Sequence, residues 1–212
     1  MRSIIYPLTL FALAVSVNLA SAEVLENNFS IGMRIGATVN TSSGGRAELF
    51  PYTATFEGDL CYMVTEKIGL IPVSIVLQKY NFDDDKPELL KDHVEGLPQN
   101  IQDMNPRAWK VDGSAWGVAY LPGIHFTTAW DWPVNFFGQI GAGIYHYDES
   151  LEVFNFDSDV SKNEFASRFA GGIEIYATDR ASVQLKADYI WTNTDHARDN
   201  LLGITGGITY LF

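Results

Sequence analysis

The two-residue period of the apolar side chains, clearest over Gly203–Phe212, is what most limits how this chain can fold. Counting back from the end, Phe212, Tyr210, Ile208 and Ile204 are apolar or aromatic, with Gly206 among them. The alternate set, Thr209, Gly207, Thr205 and Gly203, is small or polar, and Leu211 is its exception. A period of two describes a strand with one greasy face and one small polar face. A soluble protein could end in such a strand, but seven further segments repeat the pattern.

The first is about Phe29–Val39, with Phe29, Ile31, Met33, Ile35, Ala37 and Val39 on one face. The second, about Phe50–Val64, sets Phe50, Tyr52, Ala54, Phe56, Leu60 and Tyr62 against Thr53, Thr55, Glu57 and Asp59. The third, about Ile68–Tyr80, alternates through Ile71, Val73, Ile75 and Leu77. Ser114–Trp130 is the fourth, broken at Pro122-Gly123, and Phe136–Tyr147, Glu164–Ala177 and Ala181–Trp191 complete the set. Short gaps at Thr65–Lys67, Asp131–Pro133 and Thr178–Arg180 alternate with long ones, of which Asn81–Asp112 and the acidic Asp148–Asn163 are the longest.

Long and short gaps in alternation, with greasy outward faces, exclude an ordinary sandwich, whose solvent face should be charged. They fit an all-β fold, an eight-stranded antiparallel transmembrane β-barrel of the outer-membrane type with both ends on the short-turn side. Each segment is long enough for the roughly 9–11 residues of a tilted spanning strand. Closure follows from lipid itself, where an open edge would leave backbone groups unpaired. Aromatic side chains should then form two girdles. Phe29, Trp130, Trp132, Tyr176 and Tyr210 are expected near one interface, and Tyr52, Tyr80, Trp116, Tyr145 and Trp191 near the other.

The N-terminus agrees with export. Met1-Arg2, a mostly apolar Ile4–Val17 and the small-x-small Ala20-Ser21-Ala22 read as a signal peptide over residues 1–22, leaving 23–212 as one barrel domain. No other stretch approaches the roughly 18 apolar residues of a spanning helix. Removing the leader leaves 13 basic and 26 acidic residues, a balance that disfavours nucleic acid as a partner. The single cysteine, Cys61, rules out an intramolecular disulfide and reads as a small buried side chain.

Charges inside the segments carry the most information about function. Arg34, Glu57, Asp59, Glu164, Arg168, Glu174, Lys186 and Asp188 all fall on the inward parity, where hydrocarbon does not penalise them. With the Thr178–Arg180 turn setting register, Glu174 opposes Gln184 and Arg168 opposes Ile190, so Arg168–Asp188 and Glu174–Lys186 become diagonal pairs. These charges form either a polar gate or a satisfied plug. Pro72 and Pro122 lie within neighbouring strands and cannot donate to the ladder. Each marks a repaired bulge or, with Gly123, a lateral opening in the wall.

Several short motifs add a family resemblance. Tyr62–Gly69, Leu121-Pro122, Gly141–Tyr145, Val183–Asp195 and the Tyr210-Leu211-Phe212 ending resemble the OmpW family of eight-stranded outer-membrane proteins. That resemblance implies a narrow passive channel for small hydrophobic molecules with a lateral exit, without cofactor, metal or catalysis. The Tyr210 and Phe212 ending resembles the assembly signal of such barrels, so the expected partners are the barrel-assembly machinery, outer-membrane lipids and lipopolysaccharide, and small hydrophobic solutes. A closed structural or adhesive barrel is the alternative, and a lipid A-modifying enzyme is a third reading. For the enzyme, none of His93, His125, His146 and His196 has a serine and an acid in recognisable spacing. The acidic runs 83–85 and 148–159 lack calcium-loop spacing.

The register makes one prediction: Asp188→Ala, by stripping Arg168 of its diagonal partner, should lower the urea midpoint of unfolding. An unchanged midpoint would mean that the two side chains do not meet.

Overall fold

A computed structural model describes residues 28–41, 49–83, 101, 103–105, 109, 111–128, 132–154, 156–193 and 200–212. The expected leader and most of the 81–112 loop lie outside these residues, as do His93, His196 and Trp130. Among the described residues nine strands are formed: β1 (Phe29–Asn40), β2 (Tyr52–Met63), β3 (Ile68–Asn81), β4 (Val111–Tyr120), β5 (Gly123–Thr127), β6 (Val134–Val153), β7 (Phe156–Thr178), β8 (Ala181–Asn193) and β9 (Asn200–Leu211). All neighbours run antiparallel, and β1 pairs with both β2 and β9, so the sheet closes on itself. β4 and β5 both lie between β3 and β6 and are two halves of one stave, which makes an eight-stranded barrel.

Alternation of side chains sorts the two faces. Ile35, Ile204 and Ile208 are 63–69% exposed, whereas Arg34, Glu57 and Lys186 on the opposite parity are at most 1% exposed. In water this would be an inverted protein, with a contiguous apolar belt far larger than a soluble monomer carries. In hydrocarbon the same distribution is the stable one, because the belt meets lipid and the charges meet each other. The chain is therefore a membrane-spanning barrel of the outer-membrane type.

The break in the fourth stave is closed by hydrogen bonds. The Leu121 amide donates to the Ser74 carbonyl at 2.9 Å, the Ala142 amide donates to the Pro122 carbonyl at 3.1 Å, and the Tyr120 hydroxyl donates to the Pro72 carbonyl at 2.8 Å. Tyr120 pairs with Ile144 and Gly123 with Gly141, so the register against β6 passes through Pro122 unshifted. On the other side β3 carries one extra residue, since Leu60 faces Val73 while Tyr62 faces Leu70. Pro72 sits in that bulge, where its missing N–H costs the ladder nothing. In this structure the wall is thus sealed at Pro72, Pro122 and Gly123, and no lateral opening is present among them.

Several side chains differ from their expected orientation. The bulge turns Ile71 inward, so the expected Ile71–Leu77 alternation holds only from Val73 onward. Tyr80, Tyr145 and Tyr176 are buried in the lumen and do not join the girdles, because each shares parity with a polar inward residue (Gln78, Gln139 and Glu174). Phe50 precedes β2 and is buried as well. The acidic stretch 148–163, expected as a loop, is mostly strand: β6 and β7 pair continuously out to Val153↔Phe156. They span 20 and 23 residues against 12 in β1, so their hairpin continues about 30 Å past Ile144 along the strand at roughly 3.3 Å per residue. Paired backbone inside an extended hairpin suffices here, although the sequence is polar.

Gly143 faces the inside of the closed break, and a Cβ built there would stand 1.9 Å from the Tyr120 carbonyl oxygen. Gly143→Val should therefore push β4 off β6. The expected result is a lower urea midpoint and loss of the heat-resistant folded band on a gel; a wild-type midpoint would show that the break tolerates bulk.

Candidate functional site

The candidate site is the polar layer that fills the barrel at mid-depth. Arg34 on β1 stands directly opposite Glu57 on β2, and its guanidinium reaches both carboxylate oxygens, with Nε and the second terminal nitrogen each 3.2 Å away. The same guanidinium also contacts Asp59 and the side-chain oxygen of Gln184. Two glycines make room for it. A Cβ at Gly207, Arg34's neighbour on β9, would lie 2.7 Å from Arg34 Cγ, and one at Gly32 would lie 2.4 Å from Asp59 Oδ1.

Across the lumen, Arg168 on β7 pairs with Asp188 on β8 at 3.0 Å, donates to Ser74 Oγ on β3 at 2.7 Å, and reaches Glu57. Lys186 contacts Glu57 and lies 3.2 Å from Asp188. Glu57 is thus the hub on which Arg34, Arg168 and Lys186 converge from three separate strands. Such a layer is stable only if every charge finds partners, since desolvating each ion costs several kcal/mol. Here bidentate geometry and converging cations supply those partners.

Glu174 sits one step lower. Register puts it opposite Gln184 and puts Arg168 opposite Ile190. The expected Glu174–Lys186 pair does not form, because Lys186 turns to Glu57. Glu174 instead accepts from the Gln184 amide at 2.9 Å, the Tyr176 hydroxyl at 3.3 Å and the Ser182 hydroxyl. Gln184 bridges the two levels, accepting from Arg34 while donating to Glu174. Glu164 is half-buried opposite Tyr145, four residues up β7 from Arg168 and so about 13 Å from it along the strand. It stands above the layer.

Apolar side chains seal the lumen on both sides of the charges. Towards the long loops, Val76, Ala119, Leu121, Ala166, Ile190 and Leu201 belong to one buried cluster, crossed by the Tyr80, Tyr145 and Gln78 hydrogen bonds. Towards the short turns, Cys61, Met63, Ile71, Tyr176 and Leu211 form a second cluster. This accounts for Leu211, the exception in the terminal alternation. Its side chain plugs the mouth while its amide donates to the Arg180 carbonyl at 2.7 Å. Between this cluster and the charges is a cavity of about 30 Å³, room for little more than a water or two.

The remaining sequence candidates are placed as follows. Tyr210 and Phe212 are exposed, edge to face at 5.2 Å, with the Phe212 amide bonded to the Phe29 carbonyl. His125 is buried, stacked on Phe137 and bonded to Gln139. His146 bonds Asp148, but Asn163, with no serine involved, is on its other nitrogen. No group of three or more His, Cys, Asp or Glu among the described residues could hold a metal.

Comparison with known proteins fits the fold. No family profile and no curated protein matches the chain. Among solved structures it is similar to Neisserial surface protein A, at 11% identity and a TM-score of 0.54 over 87% of this chain and 97% of that one. It is also similar to the outer membrane protein OprG of Pseudomonas aeruginosa, at 10% identity and a TM-score of 0.50 over 88% and 96%. At such identities the likeness is one of fold.

The layer makes a quantitative prediction. Glu57→Gln would leave three buried cations around a neutral amide and should cost about 3–5 kcal/mol of unfolding free energy. Glu66→Gln, on the exposed Thr65–Lys67 turn, should change it by less than about 0.5 kcal/mol. Denaturant titration of both folded barrels makes the comparison; equal effects would mean that Glu57 is no hub.

Proposed function

We propose that this protein is a closed, non-conducting outer-membrane barrel that works at its surface. The observation that carries the reading is the ionic layer: three cations and three carboxylates interlocked across the lumen, flanked by apolar clusters on both sides. An ion crossing this layer would have to break several charge-assisted hydrogen bonds in succession. What the barrel does carry into the aqueous phase is the long β6–β7 hairpin with β4 along its edge, a paired platform beyond the lipid belt. The similarity in fold to a neisserial protein described as a surface protein supports a surface role for this platform.

A second reading, the narrow channel for small hydrophobic molecules suggested by the OmpW-like motifs, is favoured by one observation. Above the ionic layer the lumen is lined by apolar side chains, and Leu121 of that cluster belongs to the proline break. A solute held there would leave sideways only if the hydrogen bonds at Ser74 and Ala142 opened.

Uptake of a small hydrophobic fluorescent probe separates the two. Cells with and without the protein should take up the probe at the same rate, and a Pro122→Ala variant should change nothing. Faster uptake with the protein, reduced in that variant, would replace the closed-barrel reading with the lateral channel.

A further inference from the structure

On the outer wall a groove of about 740 Å³ crosses β1 to β4, lined by Ile35, Ala54, Phe56, Leu77, Lys79 and Trp116 among others. Its shape follows from register. One cross-strand row reads Ala37–Ala54–Lys79–Trp116, and the row beneath reads Ile35–Phe56–Leu77–Val118. Two alanines side by side leave a trough bordered by Ile35, Phe56, Leu77 and Trp116. Its volume falls in the 300–1,000 Å³ range typical of ligand sites.

The chemistry at the end of the trough is specific. Lys79 is exposed and ends the apolar run Val73, Ile75, Leu77 of β3, at the long-loop rim of the belt. Among the described residues it is the single outward-facing cation at that rim: Arg34, Arg168 and Lys186 are buried in the lumen, Lys162 shares the inward parity of Tyr147, and Lys67 and Arg180 lie at the short turns. Trp116, 47% exposed, pairs directly with Lys79 and packs edge-on against His146 at 5.4 Å. The nearby carboxylate, Asp148, is engaged by His146 at 3.0 Å. It stands on the far side of Trp116 from Lys79, one strand beyond.

We propose that this groove binds a phospholipid of net negative charge, its chain in the alanine trough and its anionic headgroup on Lys79. The position matches both ends of such a molecule. A lysine at the rim of the hydrocarbon extends its ammonium to the headgroup level, and a tryptophan beside it favours the same boundary. Lys79 beside the apolar trough supplies the positive charge that an anionic headgroup needs at that boundary. This inference goes beyond the surface reading and holds whether or not the barrel passes solutes.

The test is native mass spectrometry of the refolded barrel in detergent with equal amounts of phosphatidylglycerol and phosphatidylcholine of identical chains. The wild type should retain the anionic lipid in about fivefold excess, the size a single lysine confers near anionic lipid. Lys79→Gln should bring the ratio close to one, Lys79→Arg should keep it, and Ala54→Trp should reduce retention of both lipids by filling the trough. Lys79 and Ala54 point into lipid, so heat-modifiable gel migration should stay that of the folded barrel in all three variants. Equal retention of the two lipids by the wild type, or an undiminished preference in Lys79→Gln, would overturn the site.

Discussion

Backbone hydrogen bonding without water is the constraint on which this molecule depends. In hydrocarbon each unpaired amide or carbonyl costs several kcal/mol, so a sheet must close and stay closed along its whole length. The chain meets that demand even where proline removes a donor. At Pro122 the neighbouring Leu121 amide and the Pro122 carbonyl carry the ladder across, and at Pro72 a bulge and the Tyr120 hydroxyl take up the slack. Both prolines therefore sit where the missing N–H is not needed, which is the condition for proline in any sheet.

Closure has a consequence for the interior. Eight strands enclose a space just wide enough for side chains to fill, so whatever points inward must pack. The inward parity here carries Arg34, Glu57, Arg168, Lys186 and Asp188, which can be accommodated only as a network. Glu57 joins cations from three strands, so the ionic layer also braces opposite walls of the barrel. In the closed-barrel reading proposed above, the same network that satisfies the charges also removes the axial path. Sealing and stabilisation are one arrangement.

Local pattern carried most of the fold and part of the site into the sequence. A period of two placed the strands, and the tight Thr178–Arg180 turn placed Glu174 opposite Gln184, from which the Arg168–Asp188 contact follows. What pattern could not carry was contact across the lumen. Glu57 and Lys186 are 129 positions apart, and no strand-neighbour argument joins them, so register alone points Lys186 to Glu174. The one-residue bulge at Pro72 was equally hidden, because an inserted residue flips Ile71 inward without altering composition. The 148–163 hairpin read as loop because its acids resemble solvated loop; above the lipid a strand can be polar on its outer face. For Tyr80, Tyr145 and Tyr176 residue type points to an interface while parity points inside, and parity wins.

The central claim is that the ionic layer closes the barrel along its axis. Conductance of the purified protein in a planar lipid bilayer tests this most directly. The account predicts a silent bilayer for the wild type across the voltage range that the membrane tolerates, with insertion verified separately by protease protection. Stable, ohmic current steps from the inserted wild type would contradict it, because ions would then be crossing a layer in which Glu57, Arg168 and Lys186 leave them no path.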